Sequence, residues 1–350
     1  MVQTAQLSET LAGLTAEVSG IPTSEFKIRK LKGDASSRSY YRVARPHGPS
    51  YVAMVLPPDA ARCEEASKGE VPAELPFLDV HRYLASQNIP VPAIHKVDLV
   101  AGVLILEDLG DETLEAAVAA GGDGTRQRWY EAAIDLLVNL RVRAEAQPSG
   151  SIAFTRSFDE QLLRWEFDHY VEYGLQARTG RKPTAAQEQL LNDAGDRLSQ
   201  AIAALPRGFT HRDYQSRNLM VTPRGLVVID FQDALLGPRQ YDLVALLRDS
   251  YVELPAATVE AMVRRYLEGI QQRTGERLEY EPFRKAFDLV TVQRKLKDGG
   301  RFEYIDRVKK NPSFLPSVPA SFRYVAQALQ GLPEYRELLA FLRDVHPEMA

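Results

Sequence analysis

The strongest constraint in the chain is a short apolar hairpin held between two polar clusters. Residues 209–233 read Phe-Thr-His-Arg-Asp-Tyr-Gln-Ser-Arg-Asn-Leu-Met-Val-Thr-Pro-Arg-Gly-Leu-Val-Val-Ile-Asp-Phe-Gln-Asp. Leu219–Val221 and Leu226–Ile229 are rich in branched apolar residues, and Thr222-Pro223-Arg224-Gly225 between them has turn chemistry. A hairpin this short keeps its two ends together. It therefore brings the polar cluster before it, His211–Asn218, against the one after it, Asp230–Asp233.

Three residues in those clusters suit phosphoryl transfer. That chemistry needs a base to orient an attacking hydroxyl, and hard oxygen ligands to hold magnesium against phosphates. Asp213 fits the base, and Asn218 and Asp230 fit the magnesium ligands. His211 and Arg212 are expected to brace the loop. Tyr214, Gln215, Arg217, Gln232 and Asp233 lie beside the reacting centre, where each could read acceptor hydroxyls or brace the loop from within.

Length and composition narrow the setting. At 350 residues the chain is long for one core and calls for two domains or one bilobal domain. A net charge of −4 argues against a general nucleic-acid binder. No apolar run approaches the ~20 residues that span a membrane, and Met1–Ala5 lacks the start of a signal peptide. The one cysteine, Cys63, excludes an internal disulfide and a cysteine-built metal site. A cytoplasmic monomer with no nucleic-acid or membrane partner is expected.

Read in order, the chain opens with a helical pattern over 4–18, followed by strand candidates at Phe26–Lys32, Ser39–Ala44 and Tyr51–Leu56. Gly33-Asp34-Ala35-Ser36-Ser37-Arg38 links the first two. Small residues there let a backbone approach phosphates closely, so Gly33, Ser36, Ser37 and Arg38 are nucleotide-site candidates. Residues 59–73 read as a surface loop and Glu74–Ala85 as a helix. A second hairpin, Ile94–Val97 with Val103–Leu106, ends at the polar run Glu107-Asp108-Leu109-Gly110.

From Asp111 onward the pattern is helical, apart from the central hairpin. Gly121–Gly124 reads as a flexible connector, Arg239–Ser250 as a helix with Asp242 at its start, and Asn311–Pro319 as a loop. Residues 281–310 hold nine Lys/Arg against five acids. They read as a solvated helix face, or alternatively as a field attracting an anionic substrate.

The stretch "HRDYQSRNLMV…VVIDFQDALLGPRQYDLVALLRDSY", with "GDASSRSYYRV" and "ILEDLG", resembles the aminoglycoside phosphotransferase superfamily. Within it the sequence is similar to the anomeric N-acetylmuramate/N-acetylglucosamine kinases of bacterial cell-wall recycling. The resemblance implies an α+β, bilobal protein-kinase-like fold: a small antiparallel-sheet N-lobe over 1–107 that binds nucleotide, and a larger, mainly helical C-lobe over 108–350 that holds the catalytic and sugar sites. It implies ATP and Mg2+ as cofactors and a small-molecule amino sugar as partner. Asp213 is then the base, and Asn218 and Asp230 the metal ligands. Glu107–Leu109 is the hinge meeting adenine, and Asp242 supports the catalytic loop. An aminoglycoside or another amino alcohol is the alternative acceptor.

One departure stands out. Kinases carry a lysine on the third strand in a Val-Ala-Ile-Lys context, whereas here the run reads Val52-Ala53-Met54-Val55, with Val55 at the lysine position. Arg38 is the first candidate to replace that cation, and a nucleotide-binding sensor without turnover is the non-enzyme alternative.

Overall fold

The structure, a computed structural model, describes residues 2–31, 38–57, 74–146 and 150–350. The phosphate-loop candidates Gly33, Ser36 and Ser37, the 59–73 loop and Cys63 lie outside the described residues.

The chain begins with α1 (Val2–Ser19), followed by β1 (Lys27–Lys30), β2 (Ser39–Ala44), β3 (Ser50–Val55), α2 (Pro76–Ser86), β4 (Ile94–Asp98) and β5 (Val103–Glu107). The five strands form one antiparallel sheet in the order β1-β2-β3-β5-β4. Gly102, at φ +66, turns β4 into β5 at the place its sequence signals.

Alternate residues of a strand face opposite sides of a sheet. Ala53 and Val55 of β3 pack with Val43, Val103 and Ile105 against Leu11 and Leu14 of α1, on the outer face. Met54, Leu104 and Leu106 face the other way and join the main core. The expected lysine position, Val55, is therefore one residue away from the strand position that faces the main core. Val55 points toward α1, and the inward-facing residue is Met54, fully buried opposite Tyr40 and Leu104. A one-residue slip inverts every side chain of a strand. The uninterrupted apolar run Val52–Leu56 gave no alternation by which to detect it.

The helical lobe comprises α3 (Leu114–Ala120), α4 (Asp123–Ala146), α5 (Glu160–His169), α6 (Ala185–Ala203), β6 (Arg207–Thr210), β7 (Leu219–Thr222), β8 (Gly225–Val228), β9 (Leu235–Pro238), α7 (Tyr241–Leu247), α8 (Ala256–Thr274), α9 (Tyr280–Arg307), α10 (Val318–Gln330) and α11 (Arg336–Val345). Helix α5 runs on into a π-helical segment, Tyr170–Ala177. The expected hairpin is β7–β8, registered from Leu219↔Val228 to Thr222↔Gly225, with Gly225 at φ +103. Strands β6 and β9 form a second pair beneath it.

Several boundaries differ from expectation. Helix α7 is shorter than Arg239–Ser250, although all its residues are buried. Residues Gly121–Gly124 are not a free connector, because Asp123 and Gly124 already belong to α4. The segment Asn311–Pro319 is not a plain loop: Pro312–Ser317 forms a 3-10 turn, and Pro319 sits in the first turn of α10, where its missing N–H costs nothing.

The largest correction concerns α9. This 28-residue helix is about 40 Å long and lies inside the lobe, with residues from Phe283 to Ile305 buried on several sides. Arg294 and Lys295 are both 0% exposed, so the middle of the expected solvated basic face is buried, while Lys285, Arg307, Lys309 and Lys310 toward its ends are exposed. Buried cations persist only when paired, and the pairs lead to the site.

Candidate active site

Helix α7 sets the catalytic loop in place. Asp242 in its first turn accepts hydrogen bonds from the backbone N–H groups of His211 (2.7 Å) and Arg212 (2.9 Å). Arg212 stands at φ +79, a left-handed conformation that costs a non-glycine residue free energy and needs such anchoring. Burial raises the Asp242 pKa, against the lowering effect of His211 and the two backbone donors. A second carboxylate, Asp249, is fully buried and accepts from Ser216 N–H at 2.9 Å and from the Ser216 hydroxyl. Asp249 was not singled out from sequence; its signal was its place seven residues, about two helical turns, beyond Asp242 and just past the end of α7.

His211 fastens the two polar clusters to each other. The Asp213 N–H donates to its Nδ1 at 3.2 Å. Nδ1 is then the acceptor, so the proton is on Nε2 and is donated to Ile229 O at 3.0 Å. Burial lowers the His211 pKa and favours this neutral form. Ile229 N–H also donates to Asn218 O at 3.0 Å. These bonds continue the β7–β8 ladder past its open end and bring Asp213, Asn218 and Asp230 together.

Asp213 is partly exposed, and its Oδ1 receives Arg294 Nη2 at 3.1 Å. Arg294 Nη1 donates to Arg212 O at 2.6 Å, so one guanidinium holds both the base and its neighbour. Burial pushes the Asp213 pKa up, but the charges of Lys297, Arg294 and Arg212 outweigh it and hold the carboxyl below the usual range. Lys297 lies one helical turn beyond Arg294, nearly buried, with its Nζ 3.7 Å from Asp298 Oδ1. Sequence reading missed both cations: Arg294 is 81 residues from Asp213, and nothing local marks the contact.

The presumed metal ligands have the right chemistry. Asn218 Nδ2 donates to Asp213 O at 2.8 Å, which leaves the Asn218 carbonyl oxygen for a cation. Asp230, at φ +63, has Oδ2 3.5 Å from Asn218 Nδ2, while Gln232 Nε2 donates to its Oδ1 at 2.7 Å. Asp230 opens to the cleft, yet the surrounding protein and the nearby Asp213 charge push its carboxyl up to about 6, with Gln232 and Arg38 opposing. A divalent cation would remove that penalty. One carboxylate and one amide oxygen suit magnesium, which usually takes one or two carboxylates and completes its shell with water and substrate phosphates.

On the sheet side, Arg38 hydrogen-bonds Tyr40 and lies near enough to Asp230 to affect its titration. Arg38 thus brings a cation to the Asp230 side of the cleft. The linker after β5 is clamped by Arg42 of β2, which pairs with Asp108 (2.6 Å) and Asp111 (2.7 Å) and donates to Gly110 O (3.1 Å). Glu107 accepts from Ala93 N–H and Arg224, and Leu109 is half-buried beside it. Phe231 stacks on Phe77 of α2 at 5.0 Å, tying the Asp230 turn to the helix beside the sheet. Glu74 pairs with Arg82 on the exposed side and takes no part in the cleft.

The remaining candidates divide. Tyr214 is fully buried and its hydroxyl donates to Ala133 O at 2.9 Å, so it anchors the loop to α4 rather than facing an acceptor. Gln232 braces Asp230. Arg217 makes a two-pronged bond to Glu115 of α3 (2.6 and 3.1 Å) and stacks over the Tyr251 ring at 3.5 Å. Gln215 and Asp233 are half-buried at the cleft, with Asp233 close enough to raise the Asp230 pKa.

A sequence model of the phosphotransferase enzyme family matches residues 27–280. The chain belongs to that family. The match runs from β1 to the first residue of α9, so Arg294 and Lys297 lie beyond it. Among curated relatives, the N-acetylmuramate/N-acetylglucosamine kinase of Pseudomonas putida is 34% identical, covering 89% of this chain and 86% of that protein. The protein of the same name from Neisseria meningitidis serogroup B is 30% identical, covering 93% and 92%.

Solved structures confirm the fold alone. A choline kinase from Streptococcus pneumoniae aligns with a TM-score of 0.60 at 13% identity, covering 94% of this chain and 100% of that one. An amicoumacin kinase in complex with AMP-PNP and Ca2+ also gives 0.60 at 13% identity, covering 95% and 97%. The bilobal α+β kinase-like fold expected from the sequence is the observed one. No helix among the described residues is long and apolar enough to cross a membrane.

Proposed function

We propose that this phosphotransferase uses ATP and Mg2+ to phosphorylate the anomeric C1 hydroxyl of N-acetylmuramate, N-acetylglucosamine or both. The observation that carries the reading is the Asp213–Asn218–Asp230 constellation around the β7–β8 hairpin, in a chain whose curated relatives, matched over most of its length, are named N-acetylmuramate/N-acetylglucosamine kinase.

Arg294 occupies Asp213 Oδ1 and leaves Oδ2 to accept the C1 hydroxyl hydrogen bond. The carboxylate aims that oxygen at the γ-phosphorus. The new C1 O–P bond forms as the bond to the ADP oxygen breaks, ADP leaves with the electron pair, and the hydroxyl proton passes to Asp213. A carboxylate held below its usual pKa is a weak base. It suffices because an anomeric hydroxyl is more acidic than an ordinary alcohol, and because phosphoryl transfer depends mainly on positioning and charge neutralisation.

Magnesium bound by Asn218 and Asp230 would neutralise charge on the transferring phosphates. Arg38 is assigned to the same phosphates, in place of the third-strand lysine. The backbone of Glu107–Leu109, fixed by the Arg42 clamp, is assigned to the adenine edge. Gly33, Ser36 and Ser37 are assigned to the phosphate-covering loop, and Gln215 and Asp233 to acceptor hydroxyls.

An ADP-release screen over N-acetylmuramate, N-acetylglucosamine, N-acetylgalactosamine, glucose and kanamycin tests the reading. Turnover with the first two sugars is expected. Turnover with kanamycin alone would overturn it.

A further inference from the structure

The proposed metal ligand Asn218 closes a single 3-10 turn, Ser216–Asn218, with a backbone bond from Asn218 N–H to Gln215 O at 2.9 Å. A turn that short does not hold its shape by itself, because its few bonds have poor geometry and cannot offset the ordering of the chain. Its conformation is set from outside.

Asp249 reaches the turn by two routes. Its Oδ2 accepts from Ser216 N–H at 2.9 Å and from the Ser216 hydroxyl, and its Oδ1 accepts from Tyr251 N–H at 3.0 Å. The Tyr251 ring in turn lies 3.5 Å from the Arg217 guanidinium, which grips Glu115 with both prongs. One carboxylate thus fixes Ser216 directly and Arg217 through the Tyr251 ring. Asn218 comes next in the chain, and its Nδ2 bond to Asp213 O leaves its oxygen for a cation.

This support is buried and charged. Asp249 and Ser216 are both fully buried. Burial pushes the Asp249 carboxyl up, with Ser216, Lys295 and Tyr251 opposing. Lys295 donates to the hydroxyl of Ser250, the residue after Asp249, at 3.0 Å and to Asp298 Oδ2 at 2.7 Å. Asp298 also lies 3.7 Å from Lys297 through its other oxygen. Arg294 and Lys295 are consecutive, so their side chains leave α9 about 100° apart. Arg294 goes to the base, and Lys295 goes to the segment that carries Asp249. The two ends of the catalytic loop therefore have different supports.

A group hydrogen-bonded behind a metal ligand fixes how that ligand points, and its loss weakens metal binding about 10–100-fold. We infer that Asp249 is a positioning residue for the magnesium site. Through Ser216 and the Tyr251 ring it holds the turn in which the Asn218 oxygen meets the cation, separately from the hold of Arg294 on Asp213. The inference rests on the reading of Asn218 as a metal ligand and deepens it.

The test uses Mn2+ in place of Mg2+ and measures its binding to the enzyme–ADP complex by electron paramagnetic resonance, with no turnover involved. The wild type is compared with Asn218→Ala, Asp249→Asn, Ser216→Ala, Arg294→Met and the Asn218→Ala/Asp249→Asn double variant, each checked for folding by urea unfolding. Asp249→Asn keeps the side-chain shape but offers one acceptor oxygen to the groups that two oxygens now serve. It should raise the Mn2+ dissociation constant at least about 10-fold. Ser216→Ala removes only the hydroxyl bond and should raise it about 3-fold. In the double variant the Asp249→Asn step should add less than about 2-fold, because the ligand it acts through is already gone. Arg294→Met, on the other support, should leave the constant within about 3-fold of wild type.

Unchanged Mn2+ binding in folded Asp249→Asn would overturn the inference, as would an equal loss with and without the Asn218 side chain. A loss in Arg294→Met as large as that in Asp249→Asn would also overturn it. If Asp249→Asn does not fold, Ser216→Ala decides by the same comparison, alone and with Asn218→Ala. Unchanged Mn2+ binding in Asn218→Ala would instead overturn the reading of Asn218 as a metal ligand, and this inference with it.

Discussion

Arg294 Nη2 lies 3.1 Å from Asp213 Oδ1, while the same guanidinium donates to Arg212 O at 2.6 Å. A residue deep in a C-lobe helix therefore sets the rotamer of the presumed base and the path of its loop. Removing one member of a buried charged pair leaves the other uncompensated, at a cost of about 3–5 kcal/mol. Arg294→Met should lower kcat about 10–100-fold while KM for ATP changes little, and Arg294→Lys should restore part of the loss. Steady-state kinetics with urea unfolding checks this. An unchanged kcat in folded Arg294→Met would contradict the positioning role.

Asp242 should matter through the backbone alone. Its two charge-assisted bonds to the His211 and Arg212 N–H groups hold Arg212 in the left-handed region. Asp242→Ala leaves both donors unsatisfied, and an expected destabilisation of about 2–5 kcal/mol follows. Urea unfolding measures it. Asp242→Asn, which keeps one acceptor oxygen, should lose less.

The sheet offers a test of register. Arg38→Ala is expected to raise KM for ATP at least 10-fold. Adding Val55→Lys should not rescue it, because residue 55 faces α1 rather than the cleft. Rescue by that lysine would show that Val55, not Met54, faces the nucleotide.

His346 supplies a pH dependence away from the active site. It is fully buried, its Nε2 lies 2.7 Å from the Tyr170 hydroxyl, and burial lowers its pKa from 6.5 to about 4. The unfolded chain therefore binds more protons than the native state between pH 6.5 and 4, so stability falls as pH falls through that window. Between pH 7 and pH 5 the loss is about 2 kcal/mol. Urea unfolding at the two pH values should show this slope in the wild type and a shallower one in His346→Gln.

What the sequence made legible follows from locality. Asp213, Asn218 and Asp230 are joined by one hairpin of adjacent strands, and turn chemistry alone sets their approach. The sheet strands were legible in position, but β3 was not legible in facing, since Val52–Leu56 is apolar throughout and carries no alternation. Arg294 and Lys297 were hidden by separation in sequence and by composition. A helix with nine cations in its neighbourhood reads as a wet surface until the acids that pair with it are placed. Tyr214 stood beside the base in sequence, yet its ring turns into the core, because neighbouring loop residues alternate between cleft and interior.

The most direct test of the central claim is product formation by wild type and Asp213→Asn under saturating Mg-ATP. It uses N-acetylmuramate and N-acetylglucosamine, with phosphorus NMR locating the new phosphate. The wild type should form a sugar 1-phosphate, and Asp213→Asn should lose at least about 1,000-fold in kcat with little change in KM, as expected when an interaction made chiefly in the transition state is removed. Turnover by folded Asp213→Asn within about 10-fold of wild type, or a phosphate on any other hydroxyl, would contradict the account.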